Sequence, residues 1–538
     1  MKKISQILKS KKFLVFSIII ISLSLSYYLF GENFHAKWWY IDDHEIMMFL
    51  GEDGKITLNE IPKVLIEKTE VGDYGSYERY RPSYYFLRLI ETSILGDNPM
   101  LWYFSRIVIL TSFLSILWYL VSKGVGYIKG FFFVLLVLSA NYWAEIISRL
   151  GPSETYAVFG LGLFLLGLYQ QFKIYNEDKE KDKKNFIVSL ILMTIGAIIA
   201  IGSKENFIIL IIPTILLSLY AIIKKKMNIG LLISSLVIIL YGVFVMSSII
   251  IALSKTNIDV YGSTINTKDL VIMTLKHIPD VLKLFWMQWV VILTVISSFI
   301  VYRIRGVLKF KEYMKRLLFF YASVFSLIGL YLSQIFFYKG LWPTGMRYDF
   351  PGLLYYPFYL LTLFFLIKWT FEILNIKKYY REQIYTVIII LTFVFISPLQ
   401  YFDYFQAYSK ENVVRTNSYT EIINSIEEKA KQDPSQPIFF ESYSVWDHEL
   451  MVSVNRFLRA RRVENDIYIN INNYSIDTVQ SSLEKNLVRE INVVASKGGD
   501  LAGEKFVSRS GDISKTPGCI TVNFSGITDD VCTSFIIR

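Results

Sequence analysis

A polytopic α-helical membrane protein with an extracytoplasmic α/β domain at its C-terminal end is the fold class that three observations predict. Of the 538 residues, 53% are hydrophobic and only 19% are charged, against about 45–50% and 25% in soluble domains. The apolar excess is concentrated in blocks nearly free of charge, such as Phe13–Phe30, Leu231–Leu253 and Tyr385–Ile396. The basic residues of the short loops fall on alternate sides of these blocks, and the composition turns polar after about residue 400.

Each element follows from these. A hydrocarbon core of about 30 Å takes about 20 apolar residues in helical form, and lipid leaves no partner for an open backbone, so only helices or closed barrels span it. Period-two alternation is absent, which leaves helices. About eleven spans are expected, at 13–30, 101–121, 127–146, 154–172, 186–202, 206–223, 229–253, 281–302, 317–338, 352–370 and 384–400. Met1–Lys12 is basic ahead of an apolar run, as in a secretory signal, but the run is long and Leu29–Asn33 lacks a small-x-small cleavage site. It reads as a retained first span.

Lys and Arg in short loops orient such chains. With the N-terminus inside, the cytoplasmic side holds Lys2, Lys3, Lys9, Lys11 and Lys12, then Lys173, Lys179, Lys181, Lys183 and Lys184. Lys224–Lys226 and the Arg303–Arg316 segment follow on that side. The opposite short loops carry chiefly Arg149, Lys204, Lys255, Lys339 and Arg347. The net charge of +10 is therefore a topology signal that faces anionic lipid, not a nucleic-acid footprint. The predicted organisation is a transmembrane domain over 1–400, including an outer loop at 31–100, and an extracytoplasmic α/β domain over 401–538.

In that C-terminal segment, Ser418–Glu421 resembles a capping box opening an amphipathic helix that ends near Asp433-Pro434. Pro437–Glu441, Ile491–Ala495 and Ile520–Phe524 read as strands, with helices near 446–460 and 476–487. Cys519 and Cys532 flank a turn at Ser525-Gly526. Outside the cytoplasm a disulfide between them persists, and the alternative is two reduced, buried thiols.

The ionisable residues carry the functional signal. Span interiors hold almost none, with Arg106, Glu145 and Lys283 near ends. Transporters place charge along the pathway at mid-membrane, and this chain shows little of that pattern. The polar clusters sit instead at span ends on the outer side. Asp42, Asp43, His44 and Glu45 follow Trp38-Trp39-Tyr40. Adjacent carboxylates near lipid repel, which raises one pKa towards that of a general base. They also make an oxygen set for Mg²⁺ or Mn²⁺, with Asp42, Asp43 and Glu45 as ligands if a metal takes part. The plain alternative is a solvated helix cap beside an aromatic belt.

Three further clusters are each ambiguous alone. Arg149 to Glu154, with Glu145 one turn earlier, offers an arginine and an acid, or merely a cap of the next helix. Ser203-Lys204-Glu205 fills a very short outer turn. Arg347-Tyr348-Asp349 places an arginine fork at the interface, as a phosphate ligand or a snorkelling anchor. In the first outer loop, Glu78 to Phe86 mixes basic and aromatic residues, among them Arg81 and Tyr84. It lies on the membrane or lines a substrate groove.

Taken together, in order and topology over about the first 350 residues, these clusters resemble the polyprenyl-phosphate-dependent membrane glycosyltransferases of the GT-C fold, such as the protein O-mannosyltransferases and the lipid A aminoarabinose transferases. The resemblance implies a catalytic acid soon after the first span, at Asp43 or Asp42, and a further acid at Glu154. It implies a donor phosphate held by Lys204, Arg347 and Arg149, and a substrate groove at Arg81, Tyr84 and Tyr348. The partners implied are the bilayer, a sugar on a polyprenyl phosphate, and a glycan, lipid or protein acceptor. The expected reaction is base-assisted inverting displacement. The sequence has neither a G-x-x-x-x-G-K-[ST] loop nor a His/Cys cluster with zinc spacing. The competing classes are a polymerase or ligase of lipid-linked oligosaccharides, a flippase or transporter, and a non-catalytic scaffold.

Overall fold

The computed structural model describes residues 11–51, 54–77, 79–177, 183–255, 267–338, 342–442, 444–471, 482–507, 515, 517–524, 526 and 531–537. Lys2, Lys3, Lys9, Glu78, Lys179, Lys181, Lys339, Ser525 and the start of the helix expected at 476–487 lie outside these residues. Among the described residues nine helices are long and apolar enough to cross a membrane, or ten if one bent pair counts as a single span. Many of their large apolar side chains point outward: Leu240 is 65% exposed, Phe299 67% and Phe395 83%. An exposed apolar surface of that extent needs a lipid solvent, and the chain is a multi-pass membrane protein.

Three of the expected spans take a different form. The segment expected at 127–146 is a broken pair, Tyr127–Val137 and Tyr142–Ser148, bent by 86°. The break falls at Leu138–Asn141, and the Trp143 indole donates to the Val137 carbonyl across it at 2.8 Å. The segments expected at 281–302 and 317–338 are joined through one helical run, Met287–Phe337, interrupted only at Gly306, whose φ is 73°. Glycine alone adopts that backbone freely.

The helices Glu154–Glu177 and Lys183–Ser203 pack closely because glycines face each other. A Cβ on Gly160 would come within 2.6 Å of the Ala200 nitrogen, and one on Gly196 within 2.3 Å of the Phe164 nitrogen. Small residues let membrane helices approach backbone to backbone. The start of the first helix, Glu154, thereby meets the residue just past the end of the second, Lys204.

The helix Leu399–Gln432 ties the spans to the C-terminal α/β unit. Phe402 and Phe405 pack with the spans, while Tyr419, Ile423, Ile426 and Ala430 pack in the α/β core. It runs unbroken through Ser418–Glu421, so the expected capping box opens nothing there: the buried 3–4 spacing of Thr416, Tyr419 and Ile423 continues the same face. The strands are β1 (Ile438–Ser442), β2 (Ile467–Ile471), β3 (Gly499–Leu501), β4 (Glu504–Phe506), β5 (Ile520–Asn523) and β6 (Thr533–Ile536). β2, β1, β5 and β6 form a parallel sheet in that order. Ile438, Phe439 and Phe440 are all buried in central β1, as a sheet covered on both faces requires. The strand expected at Ile491–Ala495 is instead part of the helix Ser482–Lys497, because Val488, Ile491 and Val494 bury one face at helical spacing. Cys519 and Cys532 form a disulfide with Cα atoms 4.7 Å apart.

Candidate active site

The turn after Trp38-Trp39-Tyr40 decides which acid is presented. Asp42 takes φ 69°, in the left-handed region that L side chains seldom occupy. That turn sends Asp42 and Asp43 in different directions. Asp43 is 1% exposed and accepts a hydrogen bond from the Trp39 backbone N–H at 2.8 Å. The Asp42 side chain keeps 25% of its surface. Its Oδ2 accepts from Arg149 Nη2 at 3.0 Å and from Arg347 Nη1 at 3.2 Å.

Glu145 braces both arginines. Its Oε1 lies 3.4 Å from Arg149 Nη1, and its Oε2 accepts from the Arg347 backbone N–H at 2.9 Å. The Arg347 loop is held from below by Gln334, which accepts from Asn206 and donates to the Tyr348 carbonyl, at 2.6 and 2.5 Å. Arg347 also lies over the Tyr348 ring, 5.2 Å from its centroid. Lys204 and Glu154 form a buried ion pair, with the Lys204 ammonium 5.8 Å from the Tyr338 ring centroid.

Asp42, Glu45, Arg81, Tyr84, Glu154, Lys204, Arg347 and Tyr348 line one cavity of about 210 Å³, an order of magnitude more than one water needs (about 10–15 Å³). The four separate sequence clusters thus converge. Apolar lining comes from Met246, Ile249, Ile250 and Leu253 of the helix Ile229–Lys255, and from Phe336 and Phe337 at the end of Met287–Phe337. Tyr84 donates to the Gly151 carbonyl at 2.9 Å and reaches Glu45 at 3.3 Å. Arg81 is committed to Glu70 through Nε at 3.0 Å and Nη2 at 3.2 Å, so its charge is largely met within the first loop. Arg149 contributes through Asp42.

Of the two candidate acids, Asp43 accepts a backbone N–H and is not part of the cavity lining, whereas Asp42 lines the cavity. The oxygen set Asp42, Asp43 and Glu45 does not converge either. Asp43 points to Trp39, Glu45 pairs with Arg88 at 3.4 Å, and Asp42 pairs with two arginines. Among the described residues no group of three or more His, Cys, Asp or Glu is placed to hold a metal ion.

The electrostatics follow from burial and neighbours. Burial pushes Asp42 up, but Arg347, Arg149 and Arg88 outweigh it and hold the carboxyl well below the usual carboxylate range. Burial raises Asp43 to about 7, against a smaller lowering by the Trp39 N–H. Burial lowers His44 to about 4. Burial also raises Glu45, against the pull of Arg88.

Asp43 and His44 have opposite linkage. Asp43 binds its proton more tightly in the fold than in the unfolded chain, so its contribution to stability is lost as pH rises through about 7. His44 is the reverse: its contribution is present above 6.5 and is lost as pH falls through about 4. In the wild type the two slopes offset each other. Asp43→Asn keeps an acceptor for Trp39 and removes one slope, so its Tm should climb more steeply than the wild type's from pH 4 to 6.5. Thermal melts in detergent across that range check this, and parallel curves would contradict it.

Sequence reasoning missed the supports beneath the cavity. Arg88 and Arg106 are fully buried. Arg106 pairs with Glu91 at 3.1 Å and contacts the Tyr156 hydroxyl at 3.3 Å. Arg106 was legible as a charge near a span end, but Arg88 sits in an ordinary-looking amphipathic stretch and carries no such signal.

The fold and the site define a multi-pass membrane protein with a charged cavity bounded by apolar spans. A scan of family models finds no match to this chain, and a search of curated proteins finds none. Among solved structures, the crystal structure of ArnT from Cupriavidus metallidurans bound to undecaprenyl phosphate matches with a TM-score of 0.35 and 10% identity. The match covers 85% of this chain and 86% of that one. A likeness at that score decides neither the fold nor the chemistry.

Proposed function

We propose that this protein is a membrane glycosyltransferase that moves a sugar from a polyprenyl-phosphate donor to a hydroxyl of a glycan, lipid or protein acceptor, on the outer face of the membrane. The observation that carries the reading is the cavity itself: one wall offers Asp42, Arg347 and Lys204, and the other offers apolar side chains of the spans. That combination suits an amphiphile with an anionic head and a hydrocarbon tail. The lysine-rich loops on the opposite side support a cytoplasmic N-terminus and an outward-facing cavity.

In the proposed reaction Asp42 takes the acceptor hydroxyl proton as the oxygen attacks the anomeric carbon. The bond from that carbon to the phosphate oxygen breaks, and the polyprenyl phosphate leaves with the electron pair. Attack opposite the leaving group inverts the centre. Arg347 and Lys204 stabilise the phosphate as its charge grows, which is worth most where water is scarce. An Asp42 held by arginines is a weak base. A donor phosphate that takes Arg347 removes a hydrogen bond from Asp42 and adds negative charge beside it. Both changes raise the proton affinity of Asp42, so donor binding prepares the base.

Gly151 makes room for this carboxylate. A Cβ there would lie 2.0 Å from the Asp42 Cβ and 2.5 Å from its Oδ2, so Gly151→Ala must turn Asp42 out of place. Turnover should fall by about 10²-fold, the cost of a roughly 1 Å misplacement, with retention of the donor lipid equal to or above that of wild type. Activity assays beside lipid retention check this, and full activity would place Asp42 outside the chemistry. The reading itself is tested by native mass spectrometry of the purified wild type. The expected result is a bound polyprenyl phosphate carried from the membrane or taken up on addition. A protein that retains none and takes up none contradicts the proposal.

A further inference from the structure

Arg88 belongs to none of the sequence clusters and does not line the cavity, yet it touches the backbone of two of the loops that build it. It lies on the helix Pro82–Leu95 with its side chain 0% exposed. Its Nη2 donates to the Asp42 carbonyl at 2.6 Å, and its Nη1 donates to the Leu150 carbonyl at 2.9 Å. Its Nε sits 3.4 Å from the Glu45 carboxylate, which supplies the counter-charge a buried guanidinium needs. Leu150 lies between Arg149, which binds the Asp42 carboxylate, and Gly151, against which Asp42 packs.

One planar guanidinium therefore joins the Asp42 turn to the Arg149–Gly151 loop, and it does so at the residue whose backbone is in the left-handed region. Such a conformation persists only where the surroundings over-determine it. A lysine offers no fork and cannot reproduce the two divergent bonds. Arg106 is a useful contrast: equally buried, it reaches the Leu150 carbonyl only at 3.4 Å and is otherwise committed to Glu91 and Tyr156.

We infer that Arg88 is a positioning residue for the transfer reaction: by clamping the carbonyls of Asp42 and Leu150 it sets the Asp42 carboxylate on Arg149 and Arg347, without touching substrate. The inference rests on the function proposed above for its catalytic consequence, and on geometry alone for the placement of Asp42.

The test uses the full-length protein in lipid nanodiscs, as wild type, Arg88→Lys and Arg88→Gln, the last serving if the lysine variant does not fold. Two readouts are taken. A cryo-EM structure of the variant locates the Asp42 carboxylate, and kinetics with retained-lipid mass spectrometry separate turnover from donor binding. The expected result is an Asp42 displaced from both arginines, with kcat lower by about 10²-fold and polyprenyl-phosphate retention equal to or above that of wild type, since the displaced carboxylate no longer competes with the donor for those arginines while Arg88 itself makes no contact with it. Asp42 still seated on Arg149 and Arg347 in the variant overturns the inference whatever the reaction is. A displaced Asp42 with unchanged kcat also overturns it. A displaced Asp42 in a protein whose wild type transfers no sugar leaves the clamp standing and removes the proposed function instead.

Discussion

Asp42→Asn is expected to lower turnover by about two to four orders of magnitude, the usual contribution of a general base, while donor binding holds or tightens. Asparagine keeps the shape and the hydrogen-bond acceptor but cannot take the proton. It also loses the charge that pairs with Arg149 at 3.0 Å and Arg347 at 3.2 Å. In the empty site those two guanidinium groups and the carboxylate satisfy one another, so a donor phosphate must compete with Asp42 for them. Removing the carboxylate removes the competitor, and a kcat loss with tighter donor retention is the signature that follows. Asp43→Asn should stay within a few fold of wild type, because Asp43 faces the Trp39 N–H. Steady-state rates and lipid retention on the two variants check this, and an Asp42→Asn enzyme as fast as wild type would end the assignment.

Arg347→Ala should act on the donor. The guanidinium fork matches a phosphate in two parallel bonds, and the backbone of its loop is held by Glu145 at the Arg347 N–H and by Gln334 at the Tyr348 carbonyl. Losing one such cation costs about 10²–10³-fold where charge develops in a water-poor site. The loss should fall on donor kcat/KM and lipid retention, with acceptor KM little changed. Arg347→Lys should restore only part of it, since an ammonium has no fork. Asp42 keeps Arg149 in either variant, so the base itself stays in place. Equal loss for donor and acceptor would mean that Arg347 only holds the loop together.

The spans were legible because lipid imposes a plain rule, about 20 apolar residues without charge, and the sequence obeys it in most segments. What escaped was geometry set by single backbone angles. The 86° bend in the third expected span lies in a short Leu-Ser-Ala-Asn stretch without proline. The choice between Asp42 and Asp43 turns on one residue in the left-handed region. Ile491–Ala495 reads as a strand over five residues, and its helical period shows only when Val488 is counted with it.

The site was legible as an inventory. Polar clusters at the span ends on one side named most of the polar residues that line the cavity, because charge beside lipid is rarely idle. Its supports were not legible. Arg88 looks like the exposed face of an amphipathic helix, and only the fold shows that it is buried against two carbonyls. Glu145, read as a neighbour of the second cluster, proves to brace Arg149 and the Arg347 loop together.

The central claim is sugar transfer from a polyprenyl phosphate with Asp42 as base. It is tested most directly in cells lacking the protein and complemented with wild type or Asp42→Asn, by mass spectrometry of surface glycans and lipid-linked intermediates. The account predicts that the variant lacks one sugar, whose mass the spectra give, and accumulates the matching polyprenyl-phosphate donor. Single repeat units in place of long chains would make the protein a polymerase, and identical profiles in the two strains would contradict the account outright.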